Sequence, residues 1–123
     1  NMEGDYILAI LFPENEETGR RYCSNYSGKI KYILVPRDKL PDKYQEMYNH
    51  VKKVSDYNDI KGLKIRIYLA AFWGTDFKVV FMEGNKRGLE IELNNTKDLW
   101  GEKNVQPDIP VKKETERHFR DIV

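Results

Sequence analysis

Apolar and polar residues alternate through the middle of the chain. Between residues 63 and 93 the pattern divides into three runs. In the first, Ile65, Ile67, Leu69 and Ala71 share one parity, and Lys64, Arg66 and Tyr68 share the other. In the second, Phe77, Val79 and Phe81 alternate with Lys78, Val80 and Met82. In the third, Leu89, Ile91 and Leu93 alternate with Glu90 and Glu92. Successive side chains of a strand point to opposite faces, so each run predicts a strand with one buried face. The β-branched and aromatic content favours strand over helix. Gly74-Thr75-Asp76 and Gly84-Asn85-Lys86-Arg87-Gly88 separate the runs and read as hairpin turns, because Gly, Asn and Asp accept positive φ. The expected result is an antiparallel meander with one wet face, which would carry Lys64, Arg66 and Lys78 near Glu90 and Glu92.

The flanking segments extend this picture. Residues 6–12 are apolar on both parities, which predicts a strand buried on both faces and ended by Pro13. Residues 29–35 alternate Ile30, Tyr32 and Leu34 with Lys29 and Lys31 and stop at Pro36. Pro41 then opens a helix in which Tyr44, Met47, Tyr48, Val51 and Val54 recur at helical spacing. Asp42 and the pair Lys52-Lys53 suit the two ends of its dipole. Residues 56–62 read as a turn, and 94–109 show no clear period. A second helix is expected over 111–123, with Val111, Thr115, Phe119 and Ile122 on one side. The predicted order is β-β-α-β-β-β-α. This is an α+β domain with a mainly antiparallel sheet of about five strands and two helices.

Composition narrows the class. A chain of 123 residues with 40% hydrophobic residues fits a single domain with one core. The final helical pattern runs to Val123 without a stop signal, and Asn1 precedes Met2, so 1–123 reads as the N-terminal domain of a longer protein. The single cysteine, Cys23, excludes an internal disulfide, and no apolar run is long enough to span a membrane. An intracellular setting, cytoplasmic or nuclear, is expected. The formal charge of +1 argues against a uniformly basic nucleic-acid binder but leaves room for a local basic patch.

Candidate chemistry is sparse. His50 and His118 have no metal-ligand partner at a suitable spacing on their own elements. No cofactor signature is present, and the Gly84–Gly88 stretch, read as a hairpin, offers no helix N-terminus to a phosphate. Asp76 with Glu90 and Glu92 loosely mimics the strand-borne carboxylates of metal-dependent nucleases, although a solvated strand face explains the two glutamates as well. The loop 14–28, about fifteen residues against the usual 4–6 or so, carries Arg20, Arg21, Tyr22 and Tyr26. Trp73 ends one strand, and Lys86 and Arg87 sit in the Gly84–Gly88 stretch. Arginines beside aromatic rings suit stacked bases and equally suit a protein hot spot. The expected function is therefore non-enzymatic recognition through Arg20, Arg21, Tyr22, Tyr26, Trp73, Lys86 and Arg87, with no cofactor. Nucleic acid is preferred as partner, a protein is the alternative, and a metal-dependent nuclease is third.

Overall fold

A strand that is apolar on both parities belongs at the centre of a sheet covered on both sides. The segment Tyr6–Pro13 (β1) takes that place. The computed structural model describes residues 6–13, 30–73 and 77–108, with backbone alone at 13, 69–73 and 77. After β1 come Ile30–Pro36 (β2), Asp42–Val54 (α1), Tyr57–Ile60 (β3), Ile65–Trp73 (β4), Phe77–Gly84 (β5), Lys86–Trp100 (α2) and Val105–Pro107 (β6). Short 3-10 turns cover Arg37–Lys39 and Glu102–Asn104. The strands form one sheet in the order β3-β4-β5-β1-β2-β6. All neighbours are antiparallel except β2 and β6, which run parallel. The fold is α+β with a mostly antiparallel sheet, as expected, but among the described residues the sheet has six strands and is mixed. Among the described residues no helix is long and apolar enough to cross a membrane.

The first three elements, β4 and β5 fall where expected, but β3 is a segment read as a turn, and α2 is a run read as a strand and not the helix expected over 111–123. The third run of the supposed meander is a helix. Leu89 and Leu93, four residues apart, are buried at 0% and 6% exposure, while Ile91 between them is exposed. That is the 3.6-residue period of a helix face, and five alternating residues were too few to exclude it. Its start also explains the stretch read as a hairpin. Asn85 is the N-cap, and its side-chain oxygen accepts from the Gly88 N–H at 2.6 Å. Gly84 and Gly88 are needed for close approach. A Cβ on Gly84 would lie 2.5 Å from the Lys64 carbonyl oxygen, and one on Gly88 would lie 2.7 Å from that of Leu63. The meander's place is filled instead by β3, from the segment read as a turn. It is an edge strand, polar and exposed, so it carries no core pattern to read.

The expected wet face is also absent, because a helix packs on each side of the sheet. On one side, Tyr44, Met47, Tyr48 and Val51 of α1 meet Ile7, Ala9, Leu11, Ile33, Tyr68, Val79 and Phe81. On the other, Leu89 and Leu93 of α2 meet Leu8, Ile10, Ile30, Ile65, Met82 and Val105. The two parities of β1 thus feed two cores. A bulge in β4 puts Tyr68 opposite Phe81 but Ala71 opposite Val79, so no single alternation runs through that strand. The expected helix over 111–123 lies outside the described residues.

Candidate functional site

The register of β3, β4 and β5 aligns charged residues in one row across three strands. Asp59 pairs with Arg66, and Arg66 with Glu83. In β5, Glu83 continues the parity of Val79 and Phe81, so its carboxylate faces α1 at the margin of that core. The margin is closed by groups that need an acceptor. Tyr48 of α1 donates its hydroxyl to Glu83 Oε2, Arg37 Nη1 donates to the same oxygen at 2.8 Å, and Tyr68 donates to Oε1 at 3.0 Å. Arg37 Nη1 also donates to the Tyr48 hydroxyl at 3.3 Å. Among the described residues no buried side-chain nitrogen or oxygen lacks a partner.

The protons in this knot are held firmly. Burial works to raise the Glu83 carboxyl, but the hydrogen bonds from Tyr48, Arg37 and Tyr68 outweigh it and hold the group below its ordinary value. Tyr48 and Tyr68 are both pushed up, first by burial and then by the Glu83 carboxylate beside them. Burial works to lower Arg37, yet Glu83 leaves it raised. Glu83 is therefore ionised and both tyrosines protonated at neutral pH. A general acid or base would need the opposite arrangement, a pKa moved toward neutrality. The knot fixes positions: it ties the turn after β2 to α1 and to the middle of the sheet edge.

Outside the knot, one end of the sheet collects cations. Tyr6 pairs with both Pro36 and Gly84, and Gly84 also pairs with Ile65, so the β2–α1, β3–β4 and β5–α2 connections meet at that end. They carry Arg37 after β2, Lys61 and Lys64 between β3 and β4, Arg66 in β4, and Lys86 and Arg87 in the first turn of α2. Asn85 Nδ2 donates to the Leu63 carbonyl at 2.9 Å and so fastens the β3–β4 turn to the start of α2. Arg37, Lys61, Lys64 and Arg66 line one cleft of about 480 Å3 together with Asp59 and Glu83. Both acids are already matched, Glu83 by Arg37 and Asp59 by Arg66 at 3.2 Å. Among the described residues Lys61, Lys64 and Arg87 form no ion pair. Lys64 holds a left-handed backbone, φ 52°, a conformation that non-glycine residues adopt at a cost of about 1 kcal/mol or more. The positive end of the α2 dipole points into the same region, and no acid occupies its first turn.

The expected site residues divide across the molecule. Lys86 and Arg87 belong to this cationic end, but as the first turn of a helix and not as a hairpin tip; Lys86 lies over the Tyr6 ring at 5.7 Å. Trp73 closes β4 at the opposite end, where its backbone pairs with Phe77. Arg20, Arg21, Tyr22 and Tyr26 lie outside the described residues, as do Cys23, Asp76 and His118. Glu90 and Glu92 stand two residues apart on a helix, about 200° around its axis, so the strand-borne carboxylate arrangement is not formed. Among the described residues no group of three His, Cys, Asp or Glu side chains could hold a metal ion. Arg37, Lys61, Lys64, Arg66 and Glu83 were missed as a group, because only strand order brings them together. One signal was legible: Glu83 interrupts an otherwise apolar parity, which marks a buried acid in need of partners. Comparison with family models, with curated proteins and with solved structures gives no match to this chain, so its function is argued from this geometry.

Proposed function

We propose that the domain is a non-enzymatic recognition module that binds nucleic acid through the cationic end of its sheet. The observation that carries this is the cleft in which Lys61 and Lys64 stand unpaired beside two arginines whose charges are already matched. Cations gathered from separate connections and left unneutralised by the fold repel one another, and an anionic partner relieves that repulsion. Phosphate backbones supply such charge at regular spacing, and each neutralised phosphate releases counterions. Arg37 and Arg66 are held by carboxylates, so they enter the complex already oriented. The near-neutral total charge fits a local patch in place of a basic surface.

A protein-interaction module is the second reading, and it draws on the other end of the sheet. There Leu99 is 80% exposed and Trp100 50% exposed, with the Trp100 ring 6.0 Å from that of Phe12. Fluorescence anisotropy with labelled DNA and RNA oligonucleotides at about 50 mM salt separates the two readings. The full chain should bind, with affinity falling steeply as salt rises. The double substitution Lys61→Glu, Lys64→Glu should weaken binding at least about tenfold and flatten the salt slope by about 0.7–0.9 per lost contact. Absence of binding to every oligonucleotide, or binding unchanged by the double substitution in a protein with a native circular dichroism spectrum, would leave the protein-partner reading standing instead.

A further inference from the structure

We propose that the strand bound is single and that Tyr57, with Arg66 laid on its ring, is the platform on which an unpaired base stacks. This deepens the nucleic-acid reading above and rests on it. Two clefts meet at Arg66. The cationic one holds Arg37, Lys61 and Lys64. The other, about 440 Å3, is lined by Lys52, Ser55, Asp56, Tyr57 and Tyr68 as well as by Arg66 itself. Each falls within the roughly 300–1,000 Å3 of small-ligand pockets, so together they suit a phosphate and the base next to it.

The aromatic cleft is shaped for stacking. Tyr57 lies on β3, and among the described residues no strand lies beyond it in the sheet. Half of its surface is exposed, unlike Tyr48 and Tyr68, which are buried at 6% and 2%. The Arg66 guanidinium sits 3.9 Å from the Tyr57 ring centroid and is held there by Asp59. Tyr68, its cross-strand partner, lies beside the ring, at 5.8 Å and a tilt of 57°. A guanidinium plane and an aromatic ring both stack on bases, and here they are set together before any ligand arrives. Lys52, 5.6 Å from the Tyr48 ring, adds a cation on the far lip. In a duplex the bases are stacked on one another and closed to such a platform, so it discriminates in favour of an unpaired strand.

The test compares an unstructured homopolymer, oligo-dT or oligo-U of 20 nucleotides, with a duplex hairpin of matched length, using the full chain and the variants Tyr57→Ile and Tyr57→Phe. Isoleucine keeps a high strand propensity but removes the ring. The single strand should bind more tightly than the duplex. Tyr57→Ile should lose about 5- to 150-fold in single-strand affinity, the range of one base stack, with little change for the duplex. Tyr57→Phe should bind like the parent. Preference for the duplex, or single-strand affinity unchanged in Tyr57→Ile, overturns the platform. If Lys61→Glu, Lys64→Glu abolishes binding while Tyr57→Ile does not, this inference alone fails. If no oligonucleotide binds at all, both readings fail together.

Discussion

The two faces of the sheet are closed by different chemistry. Under α2 the core is almost wholly aliphatic: Leu8, Ile10, Ile30, Ile65, Leu89, Leu93 and Val105, with Met82. Under α1 three tyrosines enter the core with their hydroxyls, and each hydroxyl ends on a carboxylate: Tyr44 on Asp108, Tyr48 and Tyr68 on Glu83. An aliphatic core holds no titrating group, and its gain scales with area removed from water. A core that buries hydroxyls is directional, because each donor must find its acceptor or lose about 1–3 kcal/mol. The directional face is also the one that borders the cationic cleft, where Arg37 has to be held in place. Hydroxyl–carboxylate bonds are thus built in beside the candidate site, while the core under α2 is held by aliphatic packing.

Leu89→Ala tests the aliphatic face and carries the largest expected effect. The side chain is fully buried, so its loss should destabilise the fold by about 2–5 kcal/mol, including the cavity left behind. Denaturant unfolding should show that deficit to be the same at pH 5 and pH 8. Glu83→Gln tests the directional face, with an expected cost of about 1.5–3 kcal/mol from weakened charge-assisted hydrogen bonds. This deficit should depend on pH. The carboxyl is held below its unfolded value, so its contribution is present above the ordinary carboxylate range and is lost as pH falls through the folded value. Tyr48 and Tyr68 are raised, so the folded state loses stability again as pH climbs past the ordinary tyrosine range near 10. Glu83→Gln should shrink the acid loss toward that of the remaining carboxylates. An acid limb of the same depth in parent and variant would show that the knot adds nothing.

Much of this contrast was legible in the sequence. The helix over Asp42–Val54 follows from Tyr44, Met47, Tyr48 and Val51 at helical spacing behind Pro41, and all four are buried. Strand β1 follows from its doubly apolar run ended by Pro13, β2 from its alternation ended by Pro36, and β4 and β5 from their alternating runs. The failure at Leu89–Leu93 has a definite cause. A Leu-Glu-Ile-Glu-Leu run satisfies period two, while its first and last residues also satisfy the helix spacing of four. The deciding information was Asn85, a cap residue three positions before Gly88, and not the run itself. Strand β3 escaped because an exposed edge strand has no buried face to write into its sequence. The candidate site was the least readable part. Lys86 and Arg87 could be named, but their neighbours Lys61, Lys64 and Arg37 are supplied by connections up to about fifty residues away, and only pairings such as Tyr6 with Gly84 and Pro36 place them together.

The smallest expected effect sharpens the comparison at the junction of the two faces, where α2 begins. Asn85 does two things at once: its side-chain oxygen accepts from Gly88, and its amide donates to the Leu63 carbonyl. Asn and Asp are ordinarily equivalent as N-caps, and Asp is further favoured by the dipole. Here they should differ. Aspartate keeps the acceptor for Gly88 but sets a carboxylate oxygen against the Leu63 carbonyl, so the second bond turns repulsive. Asn85→Asp should therefore destabilise by about 1 kcal/mol where helix-capping alone predicts no loss. It should also loosen the β3–β4 turn that carries Lys61 and Lys64, and hydrogen exchange at residues 61–64 should quicken while that of β1 stays slow. Equal stability and equal exchange in the two proteins would mean that the turn is held by packing alone. In that case the cationic end would be an assembly of independent connections, and the order imposed by the Glu83 knot would stop at Arg37.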